Sequence, residues 1–469
     1  MFTNLILNTD SYKASHWLQY PPGMDGMFSY VESRGGLYDR TVFFGLQSIL
    51  KEYLTHRIAD AEIEEAKAIF GSHGEPFNEA GWRHIARELG GRLPLSIRAV
   101  PEGSVVPTHN VLATIESTDP RSFWIASYIE TLLLRLWYPT TVASVSWHIK
   151  QLIRAHLEKT SDDPAGQLPF KLHDFGARGV SSLESAALGG MAHLVNFKGT
   201  DTVSALLAAK RYYGEAMAGF SIPAAEHSTI TAWGRSGEEA AYRNMIAQYG
   251  KPGAIFACVS DSYDVYAAIE KLWNGSLRRA VIESGATLVV RPDSGDPPDV
   301  VEKCARLLDQ GFGSTHNRKG YKILNHVRLV QGDGINEKSI AAILARLTSA
   351  GFATDNIAFG MGGGLLQHVN RDTQHFAMKC SAARIGGDWA DVYKDPATDS
   401  GKASKKGRLD LYRLGSDQRY MTCRLGDRPS DRPSELIEVF KDGEITREWT
   451  FAEVRSRSES GLGNEKGNS

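Results

Sequence analysis

The sequence predicts an α/β fold with a barrel of parallel strands, and three observations predict it. Between residues 170 and 364, short apolar runs alternate with helix-like segments, the pattern that produces parallel sheets. Seven of those runs end in a polar, mostly glycine-containing cluster. An open doubly wound sheet concentrates its site on one or two loops, whereas a barrel collects the loops at the C-terminal ends of all its strands. The third observation is the stretch Thr287-Leu288-Val289-Val290-Arg291-Pro292-Asp293-Ser294-Gly295. Its three apolar residues suit a buried strand. Arg291 and Asp293 then place a rigid cation and an anion at the strand end, and Gly295 with Pro297 stops it. A single motif of this kind is equally a surface ion pair; its recurrence is what points to a site.

Bulk properties narrow the class. A chain of 469 residues is long enough for two or three packed units. With 42% hydrophobic and 23% charged residues, it has the composition of a soluble globular protein. A net charge of −2 gives no bulk attraction to nucleic acid or to a membrane surface. The four cysteines, Cys258, Cys304, Cys380 and Cys423, are scattered without metal-ligand spacing, as expected in a reduced compartment. No apolar run approaches the roughly 18 residues of a membrane helix, and no basic-then-apolar leader opens the chain. The expectation is a cytoplasmic protein with neither a nucleic-acid nor a membrane partner.

Along the chain, Pro21-Pro22-Gly23 is a turn, and Phe28 to Val31 reads as a strand running into Arg34-Gly35-Gly36. That arginine suits an anion or a solvated hairpin end. Ala61 to Phe70 reads as a helix, and Leu95 to Val100 and Val111 to Ile115 as strands. Arg121 to Trp137 predicts an amphipathic helix stopped by Pro139, followed by a second from Thr141 to Glu158, together a helical hairpin. Ser161 to Gln167 reads as an internal boundary. Beyond it come the loaded strand ends: His173 to Gly179, Lys198 to Asp201, Ala225 to Thr229, Ser260 to Tyr263, Arg291 to Gly295, Gln331 to Gly334 and Gly360 to Gly364. From Arg371 to Arg408 the chain is basic, short strands resume from Leu409 to Phe451, and Arg455 to Ser469 reads as a disordered tail.

These loops suggest chemistry. Glycines at Gly360, Gly362, Gly363 and Gly364 let backbone N–H groups approach phosphate oxygens, in the place where barrels commonly bind phosphate. Asp261, Asp293 and Asp333 suit ribose hydroxyls or hydrated magnesium, and equally helix caps. His227 is a candidate base or nucleophile, or simply a satisfied polar residue. Phe175 and Arg178 could sandwich a flat ring. A sugar-phosphate isomerase or aldolase and a ribosyl transferase remain open on this reading.

A resemblance chooses between them. Asn8-Thr9-Asp10-Ser11-Tyr12-Lys13, His173-Asp174-Phe175-Gly176, Asn196 to Thr202, Pro223 to Thr229, Val259 to Asp264, Arg291 to Gly295, Gln331 to Gly334, Gly362 to Gln367 and Ser404 to Leu409 resemble, in order, the motifs of the type II phosphoribosyltransferases that act on nicotinamide. The resemblance implies an irregular α/β barrel at 161–375 and a mixed α/β domain from both termini, residues 1–160 and 376–455, with a tail at 456–469. It implies transfer of phosphoribose from phosphoribosyl pyrophosphate to nicotinamide, with Mg²⁺ held mainly by pyrophosphate and water and ATP as co-substrate, in a homodimer with shared sites. Phe175 and the other subunit's Tyr12 would stack on the pyridine ring. Arg291 would lie against it and Asp201 would accept its amide. Asp293, Gly332 and Asp333 would hold ribose; Gly362, Gly363 and Arg178 the 5′-phosphate; Arg34, Arg371, Lys379, Lys394 and Lys402 the pyrophosphate. His227 would be phosphorylated by ATP beside Asp261. Ala177, Ala257 and Ala377 depart from the family pattern, where a tyrosine and two serines are expected. The family alternatives are a nicotinate enzyme and a secreted or signalling binding protein without turnover.

Overall fold

The computed structural model describes residues 4–398, 403–415 and 419–461. The chain forms two compact units: residues 1–144, 211–215 and 370–469, and residues 145–210 and 216–369. The first break along the chain falls between Ser144 and Val145, inside the helix Trp137–Thr160, and Ser161 to Gln167 lies within the second unit.

The first unit is organised on a seven-stranded antiparallel sheet. Its order is Asp388–Asp391, Phe376–Ile385, Met24–Ser33, Val111–Ser117, Leu95–Ala99, Ile437–Lys441 and Glu444–Ile445. Strands from the two ends of the chain therefore lie side by side, Val31 opposite Met378 and Ile97 opposite Phe440. Val31, Ile97, Ile115, Met378 and Phe440 are all fully buried. Each such side chain contributes about 1.5–3 kcal/mol relative to exposure, so a charge at Ile115 would break the unit.

The predicted hairpin is replaced by a different arrangement. Residues 121–136 form two short helices, Ile125–Tyr128 and Glu130–Leu134, and the long helix begins at Trp137. Pro139 thus sits in a first turn, where the missing N–H has no intrahelical partner to lose. Trp124 and Tyr128 pack edge-on to Trp82, each at 5.0 Å, and this packing sets the break. The tail expectation also fails in part. Phe451–Ser460 is a helix, capped reciprocally by Thr450 and Glu453 and anchored by buried Phe451 and Val454. Residues 462–469 lie outside the described residues.

The second unit carries six parallel strands in the order Gly199–Thr200, Leu172–Asp174, Ile357–Met361, Val327–Gln331, Thr287–Arg291 and Ile255–Val259. The seventh expected strand, Phe220 to Pro223, is an irregular segment. It touches both edges of the sheet: Thr200 N donates to Phe220 O, and Ala257 N to Pro223 O. Along these strands Leu288, Val290, Leu329 and Phe359 point to the outer core, while Ala257, Val289 and Val330 cluster with Ile222 and Ala358 on the other face. A barrel interior is ordinarily filled by bulky branched side chains. Here two of the five inward residues are alanine and none is larger than isoleucine, and a cavity of about 980 Å³ remains.

Candidate active site

Five strand-end loops meet at the C-terminal rim of that cavity. Phe175, Arg178, Asp201, His227, Arg291, Asp293, Gly332, Gly362 and Gly363 all line it. Phe175 follows the Leu172–Asp174 strand, and its N–H donates to Met361 O at 3.0 Å. Its ring lies directly on the Ile357–Met361 strand: a Cβ at Gly360 would come within 1.8 Å of Cε2, and one at Gly332 within 3.4 Å. Glycine is required at 360 for the ring to lie there. Gly363 opens only a single helical turn, Gly363–Leu366.

Arg291 ends its strand with Nη2 3.3 Å from Asp293 Oδ2, and its buried Nε has no partner among the described residues. A buried donor left unmet costs about 1–3 kcal/mol, so this nitrogen is poised for a ligand acceptor. Burial pushes the Asp293 carboxyl up, Arg291 opposes this, and the nearby Asp261 and Asp333 push the same way as burial. The three aspartates are therefore gathered, although Asp261 and Asp333 do not line the cavity. Asp261 Oδ1 instead bonds His227 Nε2 at 2.9 Å, with the imidazole half exposed. A proton held on Nε2 by Asp261 leaves Nδ1 with its lone pair.

Asp201 is exposed at the rim and accepts a hydrogen bond from the Ser221 hydroxyl. His173 stands near enough to feel its charge, yet burial outweighs that and lowers the imidazole's pKa. Arg178 is exposed and makes no ion pair among the described residues. His173 and Ser221 had no role in the sequence reading. Their signal was their place in strand-end clusters that already held stronger candidates.

The remaining candidates belong to the first unit. Arg34 Nε bonds Glu32 at 2.7 Å while its buried Nη2 has no partner among the described residues. Burial lowers the Lys379 pKa, Glu130 opposes, and Arg34, Lys394 and Lys13 are close enough to lower it further. Arg34, Lys379 and Lys394 are thus brought together, and Lys13 and Lys405, paired with Glu130 and Glu32, join them. Arg371 is exposed and paired with Asp372 at 3.0 Å. Tyr12 is 54% exposed and meets His16 edge-on. Lys402 lies outside the described residues.

Comparison with known proteins gives the following. The profile of the nicotinate phosphoribosyltransferase (NAPRTase) family matches residues 170–444, and that of the nicotinamide phosphoribosyltransferase N-terminal domain matches residues 4–97. The chain is 64% identical to a nicotinamide phosphoribosyltransferase of Xanthomonas campestris pv. campestris, over 97% of this chain and 98% of the relative. It is 33% identical to one from Acinetobacter baylyi, over 96% and 95%. Among solved structures, the nicotinate-nucleotide pyrophosphorylase of Pyrococcus furiosus matches with a TM-score of 0.64 at 16% identity, covering 99% of this chain and 97% of that one. Human nicotinic acid phosphoribosyltransferase matches with a TM-score of 0.60 at 16% identity, covering 98% and 94%. The two structural likenesses bear on the fold alone.

Proposed function

The chain belongs to the nicotinate phosphoribosyltransferase family, and we propose that within it the protein transfers phosphoribose from phosphoribosyl pyrophosphate to nicotinamide, as a step of NAD salvage. The observation that carries the choice of base is the exposed Asp201 carboxylate on the cavity rim that Phe175 shares. An ionised carboxylate only accepts hydrogen bonds. It suits the N–H of a carboxamide and repels the carboxylate of nicotinate, and this disfavours the nicotinate reading.

The parallel sheet, joined at both edges to residues 220–225, is read as an irregular barrel. In the transfer, the C1–O bond to pyrophosphate breaks as the pyridine nitrogen donates its pair to C1, and pyrophosphate leaves. Phe175 stacks on the ring and Arg291 supports it. Asp293, Asp333 and the Gly332 backbone hold the ribose, placing negative charge near the cationic C1. Gly362, Gly363 and Arg178 take the 5′-phosphate. Arg34, Lys379 and Lys394, with Arg371 and Lys402, meet the pyrophosphate.

The gathered carboxylates of Asp293 and Asp333 fit a hydrated Mg²⁺ carried mainly by pyrophosphate, which is how that ion prefers to bind. When bound, it neutralises charge on the leaving group. His227, half exposed beside Asp261, is the residue that takes a phosphoryl group from ATP, and Asp261 orients it.

A homodimer is supported by exposed apolar side chains. Val203 and Leu207 project one turn apart from one helix, at 66% and 63% exposure, and Leu183 is 71% exposed. Surfaces of this kind mark association, and Tyr12 of the partner subunit would then complete the ring site. No helix among the described residues is long and apolar enough to cross a membrane; a cytoplasmic location rests on the scattered cysteines. The test is direct. Purified protein with phosphoribosyl pyrophosphate and Mg²⁺ should convert nicotinamide to its mononucleotide far faster than nicotinate. Equal rates, or turnover of nicotinate alone, would overturn the reading.

A further inference from the structure

Asp174 ends the Leu172–Asp174 strand, fully buried, and none of the candidate roles above uses it. Among the described residues no cation pairs with it. A buried carboxylate without a countercharge costs several kcal/mol, so stability does not explain it.

Its contacts reach two loops. Oδ1 accepts the Gly176 N–H at 2.7 Å, in the turn that carries Phe175 and Arg178. Its backbone oxygen accepts the Asp201 N–H at 2.9 Å. Oδ2 receives the Thr200 hydroxyl at 3.5 Å, and that same hydroxyl oxygen accepts the Thr202 N–H at 3.0 Å. Glycine at 190 and at 176 lets the carboxylate lie close against both segments. A Cβ at Gly190 would lie 2.9 Å from Oδ2, and one at Gly176 would lie 3.0 Å from Oδ1.

We propose that Asp174 is a positioning residue that ties the Phe175–Arg178 turn to the Thr200–Thr202 loop, fixing the spacing between the ring platform and the amide acceptor. This rests on the roles given above to Phe175 and Asp201. The spacing matters because a shift of about 1 Å in a positioned group can cost up to about a hundredfold. Burial pushes the Asp174 carboxyl up to about 6; above that pH it is ionised, and hydrogen bonds to an ionised acceptor are about twice as strong as neutral ones. The carboxylate holds the first loop through the Gly176 N–H and the second through the Thr200 hydroxyl, and the backbone oxygen of the same residue holds Asp201.

The test uses the full chain with Asp174→Ala and the nearly isosteric Asp174→Asn. Hydrogen–deuterium exchange is followed in peptides spanning 174–179 and 199–203, alongside KM and kcat for nicotinamide. In Asp174→Ala both peptides should exchange faster while the rest of the chain is unchanged. KM for nicotinamide should rise about tenfold, with kcat within about threefold, because the groups that face C1 are untouched. Asp174→Asn should show the same pattern with a smaller rise, about threefold, and it carries the test if the alanine variant does not fold. Faster exchange in the 174–179 peptide alone, in neither peptide or throughout the chain, or an unchanged KM, overturns the proposal. If wild-type protein does not use nicotinamide but the paired exchange effect is present, the base assignment fails and the mechanical coupling stands.

Discussion

The two ends of the central cavity carry similar residues and use them in opposite ways. At the C-terminal rim, Arg291 leaves Nε without a partner, and Asp201 and Arg178 are exposed. At the N-terminal end, Lys171, Arg328 and Asp355 line the same cavity. There Lys171 Nζ donates to the carbonyls of Asp355 and Ile357, both at 3.0 Å. Arg328 Nη1 donates to the carbonyls of Leu324 and Val327, and Ser161 donates to Asp355 Oδ2. Of these three side chains, Asp355 leaves its buried Oδ1 without a partner among the described residues. The chain satisfies its own cations at one end and leaves them unmet at the other. Charge in a cavity does not mark a ligand site; unmet hydrogen-bonding capacity does.

Substitution should separate the two ends. The largest effect is expected at the rim, where Arg291→Ala should lower kcat/KM by about 10³, on the order of 4 kcal/mol, with little change in urea unfolding. An activity loss below about tenfold would place the chemistry elsewhere. At the other end, Lys171→Met should cost about 1–3 kcal/mol of stability by stranding two carbonyls, and leave KM for nicotinamide unchanged.

That cost should depend on pH. Burial pulls the Lys171 amine down to about 7 from 10.5. Between those values the folded state holds fewer protons than the unfolded one, so the contribution of Lys171 grows as pH rises and is lost as pH falls through about 7. The difference in unfolding free energy between wild type and Lys171→Met should therefore be larger at pH 9 than at pH 6. A flat or reversed difference would show that the amine is not desolvated as described.

A smaller effect is expected at His227. His227→Ala should abolish ATP-dependent phosphorylation while nicotinamide transfer stays within about tenfold, about 1.4 kcal/mol, because the ring and phosphate contacts remain. An acid-labile phosphate that still forms on the variant would move the phosphoryl acceptor to another residue.

The same contrast explains what the sequence revealed. The rim was legible because Arg291, Asp293 and the glycines follow their strands immediately, and strand ends are where such folds bind ligands. The other end was not, because Lys171 and Arg328 precede or enter strands as ordinary surface-like charges; only the fold buries them. The cavity was equally hidden, since five-residue strands are too short to show that Ala257, Val289 and Val330 share one face. The pairing of residues 24–33 with 376–385 has no local signal and was reachable only through the family resemblance. The terminal helix was readable and missed: Thr450 and Glu453 form a capping box ahead of Phe451 and Val454.

The central claim is that the exposed Asp201 carboxylate at the rim selects an amide base. The most direct test is kcat/KM for nicotinamide and for nicotinate on wild type and on Asp201→Asn. A carboxylate facing a carboxylate across the bound ring is repelled, and each ~1.4 kcal/mol is tenfold in selectivity. Wild type should therefore favour nicotinamide strongly, and Asp201→Asn should narrow the ratio by at least about tenfold. A ratio within about twofold of wild type, a small fraction of one such step, would contradict the account.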